Sequence, residues 1–83
     1  MSKFQTKTIK ELESMGFLVL NVIRLSQNGY PDLMAMKNGK TIWVECKEKS
    51  DSLNPLQKFR IDELIKQGIE AKCLQDGKGQ IYP

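Results

Sequence analysis

Histidine is absent from this sequence, and cysteine occurs only twice, at Cys46 and Cys73. Without histidine the chain lacks the side chain that most often transfers protons near neutral pH and that commonly binds zinc. The two cysteines stand far apart and match no metal-binding or redox spacing. These absences argue against a zinc centre, a histidine base and a disulfide framework.

Long apolar runs are missing as well. No run approaches the roughly 18 residues of a membrane-spanning helix, and the N-terminus has no apolar signal-peptide core. We therefore expect an intracellular, cytoplasmic protein. The 83 residues predict one domain, residues 1–83. A chain of this size buries only about 60–65% of its unfolded surface, so a partner subunit would help to cover a thin core.

The charge balance is mildly basic. Thirteen Lys and Arg residues outnumber ten Asp and Glu residues, which gives a net charge of +3. This excess is compatible with a nucleic-acid partner, but it does not identify one.

A first helix is predicted at about residues 3–15. Ser2 and Gln5 have the spacing of a capping box, and Gly16 is a natural residue just beyond a helix end. Four side chains recur at helical intervals between these signals: Phe4, Thr8, Leu12 and Met15.

Three strands are predicted next. The apolar and β-branched run FLVLNVIRL, residues 17–25, indicates a largely buried strand, and SQNGYP after it is a turn cluster. DLMAMK (residues 32–37) and KTIWVECK (residues 40–47) form a hairpin joined at Asn38-Gly39, a dipeptide typical of two-residue turns. The hairpin contains most of the candidate functional residues.

A second helix is predicted from Pro55 to Gln67, with Asn54 as its N-cap and Gly68 at its end. Leu56, Phe59, Leu64 and Ile65 are expected among its core-facing residues. IEAKCLQ, residues 69–75, predicts a fourth strand, and DGKG turns the chain into a last short segment, QIYP. The order α-β-β-β-α-β indicates an α/β domain.

The hairpin register brings acidic residues together. With a two-residue turn, Lys37 lies opposite Lys40, and counting back along both strands places Asp32 opposite Glu45. Since side chains alternate along a strand, Glu45 and Lys47 share the face of Asp32. At about 5 Å and an effective dielectric constant of about 20, the two carboxylates repel by roughly 3 kcal/mol.

Two kinds of compensation are open. Lys47 could act as a counter-ion in a half-exposed charge cluster, or a three-residue loop could shift the register and separate the acids. Alternatively a divalent cation lies between the carboxylates, whose hard oxygen ligands suit Mg²⁺ or Mn²⁺. Lys47 would then be free to orient or deprotonate a water, or to stabilise charge on a phosphate. The second arrangement predicts phosphodiester hydrolysis.

The stretch GYPDLMAMKNGKTIWVECK, followed by SLNPLQ, resembles the PD-(D/E)XK nuclease superfamily, and within it the virus-type replication-repair nuclease (VRR-NUC) domain. The superfamily's Pro-Asp falls on Pro31-Asp32, and its Glu-x-Lys falls on residues 45–47. The family's Leu-Ser-Pro-x-Gln type segment corresponds to residues 53–57, and ELESMGF resembles its helix-to-strand entry. The resemblance implies a restriction-endonuclease-like core, a small mixed sheet flanked by helices.

The resemblance also implies roles for residues. Asp32 and Glu45 would bind the metal together with the backbone carbonyl of Cys46, and Lys47 would assist the attacking water. Gln57 would lie at the cleft edge, although its spacing from Asn54 also fits a capping box.

One departure from the family is visible at the start of the first helix, where many relatives have an acidic residue. Here the positions are Met1 and Ser2, while Glu11 and Glu13 come too late to align. Gln5 matches a glutamine often found in that helix and is a weaker candidate.

Further residues are candidates for contacts with DNA, each with an ordinary structural role as the alternative. Ser26 and Asn28 belong to the turn cluster and are equally explained by turn chemistry. Trp43 is expected in the core rather than as a stacking platform. Of the exposed basic residues, Lys49 and Lys58 lie closest to the predicted site, whereas three lysines of the first helix could be a solvated face: Lys3, Lys7 and Lys10.

These expectations describe a Mg²⁺- or Mn²⁺-dependent DNA endonuclease. The resemblance further implies a virus- or phage-type homodimer that acts on branched DNA such as Holliday junctions, because a two-fold dimer matches the symmetry of a four-way junction. Two alternatives remain: a non-catalytic nucleic-acid-binding or assembly module on a nuclease fold, and a small structural protein with an incidental charge cluster.

Overall fold

The computed structural model describes residues 2–83, which form two helices and one five-stranded sheet. In chain order the elements are α1 (Lys3–Ser14), β1 (Leu18–Asn21), β2 (Leu33–Lys37), β3 (Lys40–Lys47), α2 (Pro55–Lys66), β4 (Glu70–Gln75) and β5 (Gly79–Tyr82). The predicted order is confirmed. The C-terminal segment adds a strand, β5, that the sequence did not indicate.

The sheet is mixed, as predicted, and its strands lie side by side in chain order. β1 to β3 form an antiparallel meander, β3 and β4 are parallel, and β5 returns antiparallel to β4. β3 and β4 are parallel because α2 connects them. A helix between two neighbouring strands returns the chain to the end of the sheet where the first strand began, so the second strand runs in the same direction. The C-terminal end of β3 is thereby next to the C-terminal end of β4.

The two helices cover opposite faces of the sheet. On the α1 face, Leu33, Ile42 and Val44 form a buried cluster against which Ile9 and Val19 pack. On the α2 face the buried cluster is Ile61, Ala71 and Cys73, and Trp43 and Leu64 pack against it. The predicted core role of Trp43 is confirmed. Alternation along β3 then places Glu45 and Lys47 on the α2 face.

Both helices begin at the predicted caps. Ser2 Oγ accepts a hydrogen bond from the Gln5 backbone N–H at 3.0 Å. At α2, Asn54 Oδ1 accepts from the Gln57 N–H at 2.8 Å, and Gln57 Oε1 accepts from the Asn54 N–H at 3.1 Å. This reciprocal pair is a capping box, and it fixes Gln57 in the first turn of α2.

The first strand differs from the prediction. β1 has four residues rather than nine, and Leu18, Leu20 and Ile23 are 60%, 46% and 92% exposed. β1 lies at the sheet edge and α1 covers one of its faces, so Val19 packs inward while its neighbours point away from the core. An apolar run is thus not evidence of burial on both faces.

The core-facing side of α2 also differs from the prediction. Leu56, Phe59 and Ile65 are 43%, 55% and 41% exposed, whereas Ile61 is completely buried. Ile61 and Leu64 are three positions apart and face the sheet together, so the predicted stripe was rotated around the helix. No helix within residues 2–83 is long and apolar enough to cross a membrane.

Candidate active site

The β2–β3 hairpin has the predicted register. Lys37 pairs with Lys40 and Leu33 pairs with Val44, and the turn residues Asn38 and Gly39 have φ values of 52° and 79°. Two successive positive φ angles are typical of the two-residue type I′ turn, which matches the twist of the strands. The alternative prediction, a three-residue loop that separates the two acids, is therefore wrong.

Asp32 immediately precedes the first paired residue of β2, and it lies where the register predicts. Its Oδ2 accepts a hydrogen bond from the backbone N–H of Cys46 at 3.3 Å. Cys46 directly follows Glu45 on β3, so this bond holds the Asp32 carboxylate at the end of the hairpin beside Glu45.

The Glu45 carboxylate is only 3% exposed, and its two oxygens differ. Oε2 lies 3.5 Å from Lys47 Nζ and accepts a hydrogen bond from Gln57 Nε2 at 3.4 Å. Oε1 is buried and has no hydrogen-bond partner among the described residues. Lys47 is thus a counter-ion for one oxygen, as the simpler alternative expected, while the other oxygen accepts no hydrogen bond from residues 2–83.

The pKa of Glu45 is raised to about 7, chiefly by burial; the nearby charge of Asp32 adds to the rise and the Lys47 ammonium opposes it. Desolvation dominates because the charged carboxylate has lost water that the protein does not replace at Oε1. A buried carboxylate that is half protonated near neutrality is poised to exchange its proton for a metal ion.

The residues present fit a hard divalent cation. Two carboxylates, one of which has an orphaned buried oxygen, supply the oxygen ligands that Mg²⁺ and Mn²⁺ prefer. Within residues 2–83 no group of three or more His, Cys, Asp or Glu side chains could hold a metal. The remaining ligands would therefore have to be backbone or water, as is usual for Mg²⁺, and the Cys46 carbonyl stays a prediction.

The Cys46 side chain does not belong to this site. It packs with the core cluster on the α1 face, opposite Glu45. Burial raises the pKa of its thiol to about 12, so the sulfur stays protonated and is a poor metal ligand at neutral pH.

Gln57 forms the capping box that its spacing from Asn54 indicated, and it also contacts the candidate site. Its Oε1 completes the capping box of α2, and its Nε2 donates to Glu45. Because the cap restricts the side chain, the start of α2 delivers one fixed donor to the buried carboxylate.

The candidate DNA contacts lie around the site rather than in it. Ser26 and Asn28 are exposed in the segment from Val22 to Tyr30, which lines a surface cavity of about 360 Å³. Lys49 and Lys58 are also exposed, and the Lys58 ammonium lies 5.2 Å from the centre of the Tyr82 ring. Gln5 donates to Asn21 Oδ1 at 3.2 Å and has no hydrogen bond to either carboxylate.

A cluster that the sequence did not reveal joins the segment before Asp32 to α2. Tyr30 donates its hydroxyl to Glu63 Oε1 at 2.7 Å, and Arg60 Nε donates to the Asn28 carbonyl at 2.9 Å. The Arg60 guanidinium also stacks 4.9 Å from the centre of the Tyr30 ring. These contacts span about 30 residues, so no local pattern could predict them; Gly29 in the turn cluster was the one available signal of a close approach.

Comparison with known proteins identifies the family of this chain. A model of the VRR-NUC domain matches residues 4–76. One solved structure, described as a VRR_NUC domain, has a TM-score of 0.75 at 23% identity and covers 86% of this chain and 78% of its own. Comparison with curated proteins gave no significant match.

A second similar structure is Hjc of Archaeoglobus fulgidus, a Holliday junction resolvase, with a TM-score of 0.68 at 19% identity. The match covers 89% of this chain but only 62% of the resolvase, so the chain spans less than two thirds of that protein. These two structures show that the sheet and helices form the restriction-endonuclease-like fold predicted from the sequence.

Proposed function

Since this chain belongs to the VRR-NUC domain family, we propose that it is an endonuclease that hydrolyses DNA phosphodiester bonds with Mg²⁺ or Mn²⁺. One observation carries this proposal: beside Asp32, the buried Glu45 carboxylate has an oxygen that finds no hydrogen-bond partner within residues 2–83. A domain stabilised only for folding gains nothing from a buried carboxylate of this kind, because an unsatisfied charged group costs free energy.

The roles follow from the positions of the side chains. Asp32, Glu45 and the Cys46 carbonyl would hold the cation, which when bound supplies positive charge to polarise a phosphate and acidify a water. Lys47 lies beside them with a charged amine to orient the attacking water or to bind a phosphate oxygen. In the reaction, the attacking water gives up one proton to solvent as its oxygen forms a bond to phosphorus, the bond from phosphorus to the leaving sugar oxygen breaks, and that oxygen takes up a proton from solvent.

Gln57 would keep Glu45 correctly oriented and contact either water at the metal or the DNA backbone. Around these residues we assign the exposed polar and basic candidates to DNA phosphates: Gln5, Ser26, Asn28, Lys49 and Lys58. Such contacts position a substrate without reading its sequence. Recognition would then depend on the shape of the DNA.

We assign branched DNA, such as Holliday junctions, as the preferred substrate and a homodimer as the active form. The exposed apolar side chains of the β1 edge support the dimer, since Leu18, Leu20 and Ile23 lie exposed along one short stretch. A second copy would cover them and place two active sites around a two-fold axis, matching a four-way junction. The similarity to a Holliday junction resolvase supports the same substrate.

The decisive experiment is cleavage of labelled DNA. Four-way junction, fork, single-stranded and linear duplex DNA are each incubated with Mg²⁺, Mn²⁺ or EDTA. We expect cutting that needs the metal, favours junctions, and is lost in Lys47→Ala. Lys66→Ala is the matched control, because Lys66 is exposed in the last turn of α2 and contacts no proposed site residue.

Other outcomes select other functions. Binding of junction DNA without cutting under any metal would favour a non-catalytic binding module and contradict the nuclease. Equal cutting of linear duplex and junctions would retain the nuclease but contradict the preference for branched DNA.

A further inference from the structure

Gln75 is a buried polar residue to which the proposed chemistry gives no role. It ends β4, is only 5% exposed, and is paired with Lys47 in the parallel ladder. A buried amide must find hydrogen-bond partners, because burial without them costs free energy. The partners of Gln75 therefore show what its side chain holds.

The Gln75 side chain donates to the backbone of the segment that follows Lys47. Its Nε2 lies 3.1 Å from the Glu48 carbonyl oxygen, 3.3 Å from that of Lys49 and 2.5 Å from that of Asp51. The amide has two hydrogens, so three acceptors share them. Four residues of irregular chain thus turn around one side-chain nitrogen.

The backbone next to Gln75 holds the same segment from the strand side. The Asp76 N–H donates to the Lys47 carbonyl oxygen at 2.9 Å, directly beyond the paired residues Lys47 and Gln75. Lys47 is therefore fixed through its own carbonyl, and the residues after it through the side chain of Gln75.

This segment joins the two side chains that contact Glu45. Lys47 precedes it, and Asn54 and the capping box that fixes Gln57 follow it. Both Lys47 Nζ and Gln57 Nε2 approach the same oxygen, Glu45 Oε2. The path of residues 48–53 therefore decides whether both can reach that oxygen at once.

We propose that Gln75 is a positioning residue, which fixes the segment 48–53 so that Lys47 and Gln57 both reach Glu45. The proposal rests on the proposed nuclease function of this site. Gln75 is not one of the motif residues that would bind the metal. Its side-chain nitrogen is fully engaged by backbone carbonyls. Its effect on catalysis is therefore indirect.

Gln75→Met tests the proposal, because methionine has a similar length and no donor. We expect kcat on junction DNA to fall about 10- to 100-fold while KM changes less than about twofold, since small displacements of a positioned group are costly in the reacting complex. Ile42→Val is the matched control, because it removes one buried methyl from the core cluster on the opposite face of the sheet. It should leave kcat within about twofold.

Two readouts separate positioning from a general loss of stability, and both are made at a temperature where all variants are folded. Hydrogen exchange should accelerate at residues 48–53 in Gln75→Met and stay unchanged there in Ile42→Val. The side-chain amide signals of Gln57 in nitrogen-15 NMR spectra should shift only in Gln75→Met, because they report the contact with Glu45.

The two proposals fail in different ways. If the wild type cuts no DNA, the nuclease proposal fails, and the Gln57 signals alone decide whether Gln75 positions the site. Unshifted signals with unchanged exchange, or a kcat no lower than that of Ile42→Val, would overturn the role of Gln75.

Discussion

The side-chain amide of Gln57 donates to the buried carboxylate of Glu45 across 3.4 Å. The same side chain also caps its own helix. Variants of Asn54 and Gln57 can therefore separate the effect of the cap on stability from the effect of the Glu45 contact on cleavage. Asn54→Ala removes the side-chain half of the capping box, the bond from the Gln57 N–H to Asn54 Oδ1, and leaves the Gln57 amide that contacts Glu45. It should lower the free energy of unfolding by about 1 kcal/mol with little change in kcat.

Gln57→Ala removes both contacts of that side chain. It should cost a similar free energy of unfolding but also reduce cleavage about tenfold or more, because Glu45 loses a donor that orients it. Urea denaturation and single-turnover cleavage of the two variants give the comparison. Equal losses of activity in Asn54→Ala and Gln57→Ala would reduce Gln57 to a cap.

The raised pKa of Glu45 makes the metal-free protein less stable as the pH rises. Its pKa is about 7 in the folded state and 4.5 as a model value, so the folded state binds more protons between those limits. The contribution of Glu45 to stability is therefore fully present below the unfolded pKa and is lost as the pH rises through about 7. The full difference is about 3 kcal/mol.

Urea denaturation in EDTA between pH 4.5 and 8 measures this loss. Glu45→Gln should flatten the profile, because the amide has no proton to release, whereas Glu13→Gln, at an exposed position of α1, should keep the wild-type slope. A wild-type profile that rises over this range would contradict the assigned cause.

A divalent cation should reverse the same penalty. Mn²⁺ or Mg²⁺ at about 100 times its dissociation constant should raise the free energy of unfolding by about 2.7 kcal/mol. The gain should grow from pH 6 to pH 8, because protons compete for Glu45. Thermal denaturation with and without the ion checks this, and Asp32→Asn should abolish the gain. A gain retained in both Asp32→Asn and Glu45→Gln would place the ion elsewhere.

Gly29 allows the segment before Asp32 to contact α2. Its φ is +91°, and a Cβ there would lie 2.7 Å from Leu56 Cγ and 3.3 Å from Arg60 Cγ. Gly29→Ala should destabilise the fold by about 2 kcal/mol or more, through backbone strain and this clash. It should also weaken cleavage, because the segment leads directly to Asp32.

Gly39→Ala isolates the backbone part of that cost, since Gly39 has a φ of +79° and no atom within 4 Å of the added methyl. Gly39→Ala should lower the free energy of unfolding, measured by urea denaturation, by about 1 kcal/mol. Leu56→Ala should restore part of the stability of Gly29→Ala by removing the obstructing side chain. If Leu56→Ala restores no stability, backbone strain alone accounts for the loss in Gly29→Ala.

The proposed dimer predicts that charge on the β1 edge separates the subunits. Ile23 is 92% exposed, so Ile23→Asp should leave the fold intact and convert a dimer to monomers in sedimentation velocity experiments. Ile81 at the opposite edge is 38% exposed, and Ile81→Asp should leave the dimer unchanged. A monomeric wild type would contradict the dimer directly.

Local chemical signals predicted the parts of this fold that depend on few residues. Asn38-Gly39 selects the turn, and the turn sets the register that brings Asp32, just before β2, beside Glu45. Asn54-Pro55 predicted the start of α2 in the same way.

The errors arose where tertiary packing decides. The apolar run around Leu18 did not indicate that β1 is an edge strand, which α1 covers on one face only. Gln75 was missed because its partners lie 24 to 27 residues earlier in the chain, and a buried glutamine has no sequence signature. The sequence therefore predicted which side chains come together at the candidate site, Asp32, Glu45, Lys47 and Gln57. It did not predict Gln75 or the contacts of Tyr30 and Arg60, which hold the surrounding elements.

The two-residue turn at Asn38-Gly39 sets how far the length of this chain can vary. One residue inserted there would reverse the alternation of one strand against the other and send Asp32 or Glu45 to the α1 face. An insertion between Val22 and Gly29 changes no pairing, because that segment lies outside the sheet. A library of single-residue insertions should therefore keep the fold and the pair of carboxylates between Val22 and Gly29. At the turn, an insertion should lose both the pair of carboxylates and the core packing of one strand, since Leu33 and Val44 are buried on the α1 face.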